Sequence, residues 1–241
     1  MKRTLSTVMW GMLGLAAAQA QASICSSYAG AGESWKEGTT VCFVYDPNNI
    51  DPLYGTPSVS GDTIFVTPTD FKAEALDDSG TAITSGTGTV QIIAKPGYVL
   101  DAINFRELGD YKMVGGTATS VDVDPWLRVF EWANPTFGQE DSMTLPVTGD
   151  LTIADGNLHD WSAAGSFDLT TPAWDGKDHV GLTLQNTLTA ISTVVGESAL
   201  IQKKAIGADI EVTTSPVPVP AAVWLFGSGL LGLVGVARRR R

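Results

Sequence analysis

The chain has 241 residues, with 15 basic and 26 acidic side chains and a net charge of −11. Six of the basic residues (Lys2, Arg3 and Arg238 to Arg241) sit at the two ends, which leaves nine against 26 in the body, a net charge of about −17. A field of that sign opposes binding to nucleic acid or anionic lipid, and 44% hydrophobic residues with seven tryptophans exclude a disordered stalk.

Lys2 and Arg3 precede an apolar stretch centred on Val8 to Ala18. Ala18-Gln-Ala20 and Ala20-Gln-Ala22 then offer small residues on either side of a cleavage point. The pattern is that of a secretory signal peptide over residues 1–22, cut after Ala20 or Ala22. Export would carry Cys25 and Cys42, the two cysteines of the chain, into an oxidising compartment. A disulfide between them closes a loop of about 18 residues and ties the mature N-terminus to a strand at Val41–Tyr45. Free thiols or a metal pair are the alternatives, but two cysteines without nearby histidines make an incomplete zinc site.

The body of about 195 residues is long enough for one good core, and it reads as strands almost throughout. Runs at 41–45, 63–67 and 89–94 are rich in β-branched and aromatic residues between Pro, Gly, Asp and Ser. The segment 69–76 fits one or two helical turns behind a Thr69 or Asp70 cap, or a strand in which Phe71, Ala73 and Ala75 alternate with Lys72 and Glu74. Lys95-Pro-Gly-Tyr98 has the chemistry of a type II turn. A long strand over 99–108 follows, with Val99, Ile103 and Phe105 on one face. Further strands are expected at 120–123, 127–132, 142–147, 165–169, 180–192 and 208–213, and a proline-stiffened linker at 213–220. Short strands with frequent turns argue for a single all-β domain, an antiparallel β-sandwich of jelly-roll or immunoglobulin-like form over residues 23–213.

Catalytic patterns are thin. His159 and His179 each lie beside an aspartate, but a triad also needs a positioned nucleophile and an oxyanion hole, so surface-loop histidines are expected. Glu107, Asp110 and Glu131 are carboxylates from which a glycosidase pair would be drawn, given a separation of about 5.5 Å or 6.5–9.5 Å. Asp155, Asn157 and Asp160, close to Asp150, gather hard oxygen donors around a glycine, as Asp46, Asn48, Asn49 and Asp51 do in a turn. Both are weak calcium candidates; neither has the EF-hand register, and Asp and Asn form turns in their own right. Trp126, Trp132, Trp161 and Trp174 offer flat faces to sugar rings or to a core.

The end of the chain has three parts: Pro216-Val-Pro-Val-Pro220, then residues 221–237 without an ionisable side chain, then Arg238 to Arg241. Seventeen apolar residues cover roughly 26 Å as a helix, the lower limit for a transmembrane span. The arginines at its far end would stay cytoplasmic. Gly227-Ser-Gly-Leu-Leu-Gly232 matches the dinucleotide fingerprint by letter, but no strand precedes it and no βαβ unit follows. Ser228 and Gly232 also make a small-xxx-small pair of the kind that lets spans approach closely.

From Val217-Pro-Val-Pro-Ala221 to Arg241 the tail resembles the PEP-CTERM class of bacterial sorting domains, in its Val-Pro-Leu-Pro-Ala variant, with Val219 at the position of that variant's leucine. The resemblance implies that Val217, Pro218, Val219, Pro220, Ala221 and the arginines Arg238, Arg239, Arg240 and Arg241 form a motif read by an exosortase-like membrane transpeptidase. Residues 214–241 would then be a sorting domain, held transiently in the inner membrane of a Gram-negative bacterium. The body would be released to the cell surface or an exopolysaccharide matrix. The reading is a non-enzymatic structural or adhesive protein without a cofactor; the alternative is a carbohydrate- or calcium-binding surface module.

Overall fold

Alternating apolar residues build two antiparallel sheets. The computed structural model describes residues 23–68 and 70–217, with 205–207 in backbone only. The expected signal peptide 1–22, the expected motif residues Pro218, Val219, Pro220 and Ala221, the apolar run 221–237 and Arg238 to Arg241 lie outside the described residues, as does Thr69. No helix among the described residues is long and apolar enough to cross a membrane.

Among the described residues thirteen strands follow in order: β1 Ser34–Glu37, β2 Val41–Tyr45, β3 Ser58–Ser60, β4 Thr63–Val66, β5 Lys72–Leu76, β6 Gly80–Ala94, β7 Tyr98–Val114, β8 Thr119–Glu131, β9 Glu140–Thr144, β10 Val147–Thr148, β11 His159–Asp168, β12 His179–Ser192 and β13 Ser198–Pro216. The first sheet runs β1-β2-β6-β12-β8-β9 and the second β10-β11-β7-β13-β4-β3, with β5 also paired to β13. Their inner faces form one core. Ile92, Val123, Leu127, Val129, Leu182 and Leu188 meet Phe71, Ile103, Phe105, Tyr111, Trp161 and Ile201 there. The domain is thus an all-β sandwich, as the alternation predicts.

Several elements differ from the sequence reading, each for a local reason. Within segment 69–76 a strand forms over Lys72–Leu76 and no helix among the described residues: Ala73 and Ala75 point into the core and Lys72 and Glu74 outward. Strands expected at 120–123 and 127–132 are one, because Pro125 does not break β8. Its carbonyl accepts from Leu145 N on the β9 side, so its missing N–H also faces that way and costs no bond to β12. The strand expected at 142–147 divides at Leu145-Pro146 into β9 of one sheet and β10 of the other. Val99 does not share a face with Ile103 and Phe105. Thr213 pairs with Ala102 and Thr214 with Leu100, so Asp101 is an extra residue; Leu100 turns inward and Val99 is exposed. Residues 213–216 of the expected linker are strand instead, because β13 pairs with β7 as far as Pro216.

The turn at Lys95–Tyr98 forms as expected, with Gly97 at φ 91° and Tyr98 N donating to Lys95 O at 3.0 Å. Cys25 and Cys42 form a disulfide with Cα atoms 5.3 Å apart. Cys25 lies in the short 3-10 turn Ile24–Ser27, which covers the outer face of β2. With Val44, Ile93, Tyr28 and Ala29 the pair makes a second, smaller core, so all five residues of β2 are buried.

Candidate functional site

Three inward rows each carry one polar residue. On β7 the row is Ile103, Phe105, Glu107, Gly109, Tyr111; on β12 it is Leu184, Asn186, Leu188; on β13 it is Ala199, Ile201, Lys203. A polar side chain in such a row must find a partner inside the protein. These three find one another. Glu107 Oε1 accepts both from Lys203 Nζ and from Asn186 Nδ2. The Glu107 and Lys203 side chains are fully buried, as is Asn186.

Two rings close over the cluster. Lys203 Nζ lies 4.8 Å from the Phe71 ring centroid and 5.3 Å from that of Tyr54, and the rings meet edge to face at 5.2 Å. Tyr54 OH donates to Gly86 O, and Gly86 is the ladder partner of Asn186. A Cβ at Gly86 would come within 2.9 Å of Phe71 Cε2, so glycine there lets the rings settle onto the site. Glycine at 109 likewise makes room for the Trp161 indole, whose atoms would lie 2.1–2.3 Å from an added Cβ. Beside the cluster the β7–β13 ladder slips, Lys203 pairing with Gly109 and Ala208 with Glu107. Such irregularities re-aim side chains and recur next to functional sites.

Burial lowers the Lys203 pKa from its ordinary value, against the opposing pull of the Glu107 charge and hydrogen bond. Burial, reinforced by the negative charges of Glu107 and Asp51, raises that of Tyr54. Among the described residues Glu107 Oε2 and Asn186 Oδ1 are buried without a hydrogen-bond partner. An orphaned buried polar atom costs about 1–3 kcal/mol, and each buried ion costs several more in desolvation. The arrangement therefore places an amine, a carboxyl group and a carboxamide together, away from water and under strain of hydrogen-bonding demand.

Apart from Glu107, the residues singled out in the sequence lie elsewhere. Asp155 accepts from Asn157 N at 2.9 Å and Asn157 Nδ2 at 3.0 Å and bonds His159 Nε2 at 2.8 Å. Those bonds, His159 foremost, hold its carboxyl well below the usual carboxylate range. Asp160 turns instead to Lys204 Nζ at 2.7 Å. The calcium candidates are thus engaged with separate protein partners, and no group of three or more His, Cys, Asp or Glu suited to a metal occurs among the described residues. Asp46 Oδ1 takes Asn48 N and Asp51 Oδ1 takes Leu53 N, both turn bonds.

The histidines begin strands β11 and β12 rather than lying in loops. His179 stacks on Trp132 and bonds Gln91 Oε1 at 3.0 Å, and burial lowers its pKa. Of the carboxylates, Glu107 faces the core, Asp110 points away from it to Gln202 Nε2 at 2.8 Å, and Glu131 of the other sheet bonds Lys177 at 2.6 Å. They face three different surroundings. Trp161 and Trp174 are core residues; Trp126 and Trp132 are half-buried. At one end of the sandwich an open groove of about 870 Å³ is bordered by Pro96, Tyr98, Asp101, Trp174, Lys177 and Val217. No protein-family model matches the chain, and no curated protein matches it.

Proposed function

We propose that the chain is an exported, non-enzymatic β-sandwich protein of jelly-roll form, handed by an exosortase-like membrane transpeptidase to the cell surface or an exopolysaccharide matrix. Its role there is structural or adhesive. The observation that carries the reading is the Cys25–Cys42 disulfide, three residues past the expected cleavage at Ala22. Such a bond persists in an oxidising compartment and not in a reducing cytosol. The acidic body adds solubility outside the cell.

The strand order favours the jelly-roll over the immunoglobulin-like form. From β5 to β8 the chain alternates between sheets, and β12 and β13 return to lie between β6 and β8 and between β5 and β7. The place where the chain leaves the sandwich suits the sorting reading. Val217, first residue of the expected motif, still bonds Gly97 O through its N–H at 2.9 Å, so the folded body reaches the start of that motif.

The test is fractionation of the native host with and without its sorting enzyme, with mass spectrometry of the protein's C-terminus. Release of a shortened body that depends on the enzyme is expected. Full-length protein in the inner membrane of both strains would refute the reading. The groove beside Tyr98 and Asp101 supports a second reading, carbohydrate binding, which glycan-array binding lost on Tyr98→Ala would favour.

A further inference from the structure

We propose that Lys203 and Asn186 condense into an intramolecular amide crosslink, with Glu107 as the acid–base group, joining β13 of one sheet to β12 of the other. The geometry assigns each group a part. The nucleophile is the Lys203 amine, the electrophile is Asn186 Cγ, and Glu107 Oε1 touches both the entering nitrogen, Lys203 Nζ, and the leaving nitrogen, Asn186 Nδ2. A group that holds both nitrogens can carry a proton from one to the other.

The steps balance without an oxidant or cofactor. The Lys203 ammonium gives a proton to Glu107, which a dry, apolar setting favours because two neutral groups replace two buried ions. The protonated carboxyl then has a hydrogen to donate, and Asn186 Oδ1 is an acceptor that lacks one. That bond polarises the carbonyl, and the amine lone pair attacks Cγ to give a tetrahedral intermediate whose oxygen takes the proton. Glu107 next accepts a proton from Nζ and passes it to Nδ2. The Cγ–Nδ2 bond breaks as the carbonyl re-forms, its hydroxyl proton passes to Glu107, and ammonia leaves. One C–N bond is made and one is broken, no atom changes oxidation state, and Glu107 is left as the neutral acid, holding the proton that came from the Lys203 ammonium.

Fixed neighbours supply the proximity that such a reaction lacks in solution. The Phe71 and Tyr54 rings above Nζ exclude the water that would compete for Cγ. The product also removes the cost of the site, since an ammonium buried at zero exposure becomes an uncharged amide. An ion pair alone does not account for a carboxamide sharing the same carboxylate oxygen, nor for the two orphaned acceptors. The inference stands on the core geometry and holds whether or not the tail is processed. For a surface protein the bond would be a lock between sheets that no reductant opens.

Trypsin reads the outcome directly on the full chain purified from its host. Between Lys177 and Lys203 there is no Lys or Arg, so Asn186 and Lys203 share one peptide. The expected product is Asp178–Lys204, uncut after the acylated Lys203 and lighter than its sequence by one ammonia, about 17 Da. Single backbone breaks between Asn186 and Lys203 should release no fragments, because the crosslink closes a ring. Glu107→Gln keeps both reactants and should give Asp178–Lys203 at full mass; Lys203→Arg should restore full mass as well. Folded wild-type protein yielding Asp178–Lys203 at full mass overturns the proposal without any variant. So does a mass deficit that survives Lys203→Arg, since Asn186 would then be losing ammonia to its own backbone.

Discussion

Cutting the Cys25–Cys42 bond tests how much of the first sheet depends on the N-terminal cap. The cysteines are 17 positions apart, both are fully buried, and the bond pins the Ile24–Ser27 turn over Val44 and Ile93. A loop of this size restricts the unfolded chain by about 3 kcal/mol on the chain-entropy argument. At about 2–4 °C per kcal/mol for a domain of this length, the melting temperature should fall by about 6–12 °C. The perturbation is made twice, by reductant on the wild type and by Cys25→Ala with Cys42→Ala, and is followed by far-UV circular dichroism at one protein concentration. The two routes should agree to within the small packing difference between a thiol and a methyl group. Melting within about 2 °C of the oxidised protein would refute the reasoning. The cap would then be an appendage whose loss frays only β1 and the outer face of β2, leaving the sandwich as stable as before.

Two further outcomes follow from particular side chains. Gly109→Ala drives a methyl group into the Trp161 indole, which is only 2% exposed and cannot swing away, so the urea midpoint should drop by the equivalent of about 1–3 kcal/mol or more; an unchanged midpoint would contradict the close approach of β7 to β11. His179 is kept neutral because burial outweighs the opposing charges of Asp178 and Glu33. The unfolded chain therefore protonates first. Its contribution to stability is complete above the unfolded value of 6.5 and declines as pH falls below it. His179→Gln should flatten the stability profile between about pH 7 and 5, and a profile as steep as wild type would place the responsible group elsewhere.

The fold was largely readable because its signals are local. Residues 41–45 became β2 with the expected bounds, and Pro96-Gly97 supplied the turn its chemistry requires. Errors arose where distant contacts outvote composition. Residues 80–88, rich in Gly, Thr and Ser, lie ahead of the run expected at 89–94, yet they belong to β6 because β12 pairs with them residue for residue. Pro125 reads as a break and is not one, since only its place beside the end of β9 decides whether its missing N–H matters. The slip at Asp101 that turns Val99 outward is equally invisible before the partner strand is known.

The buried cluster was missed for a different reason. Glu107 was singled out only as one of three carboxylates for a glycosidase pair; Lys203 sits beside Lys204 like any solvated pair; Asn186 carries no signal of its own. Yet the parity of each strand held the information. Ile103 and Phe105 set the inward phase of β7, Leu182 and Leu184 that of β12, and Ala199 and Ile201 that of β13. Continuing each phase by one or two steps puts Glu107, Asn186 and Lys203 on the inside. A buried acid needs a base, and the two phases that could meet it carry a lysine and an asparagine. Composition hides such a cluster because 79 and 96 positions separate its members from Glu107. Phase exposes it, because a polar residue on the apolar side of a strand is costly until its partner is found. The strands that looked least chemical in this chain, those with unbroken alternation, are therefore where its chemistry should be sought first.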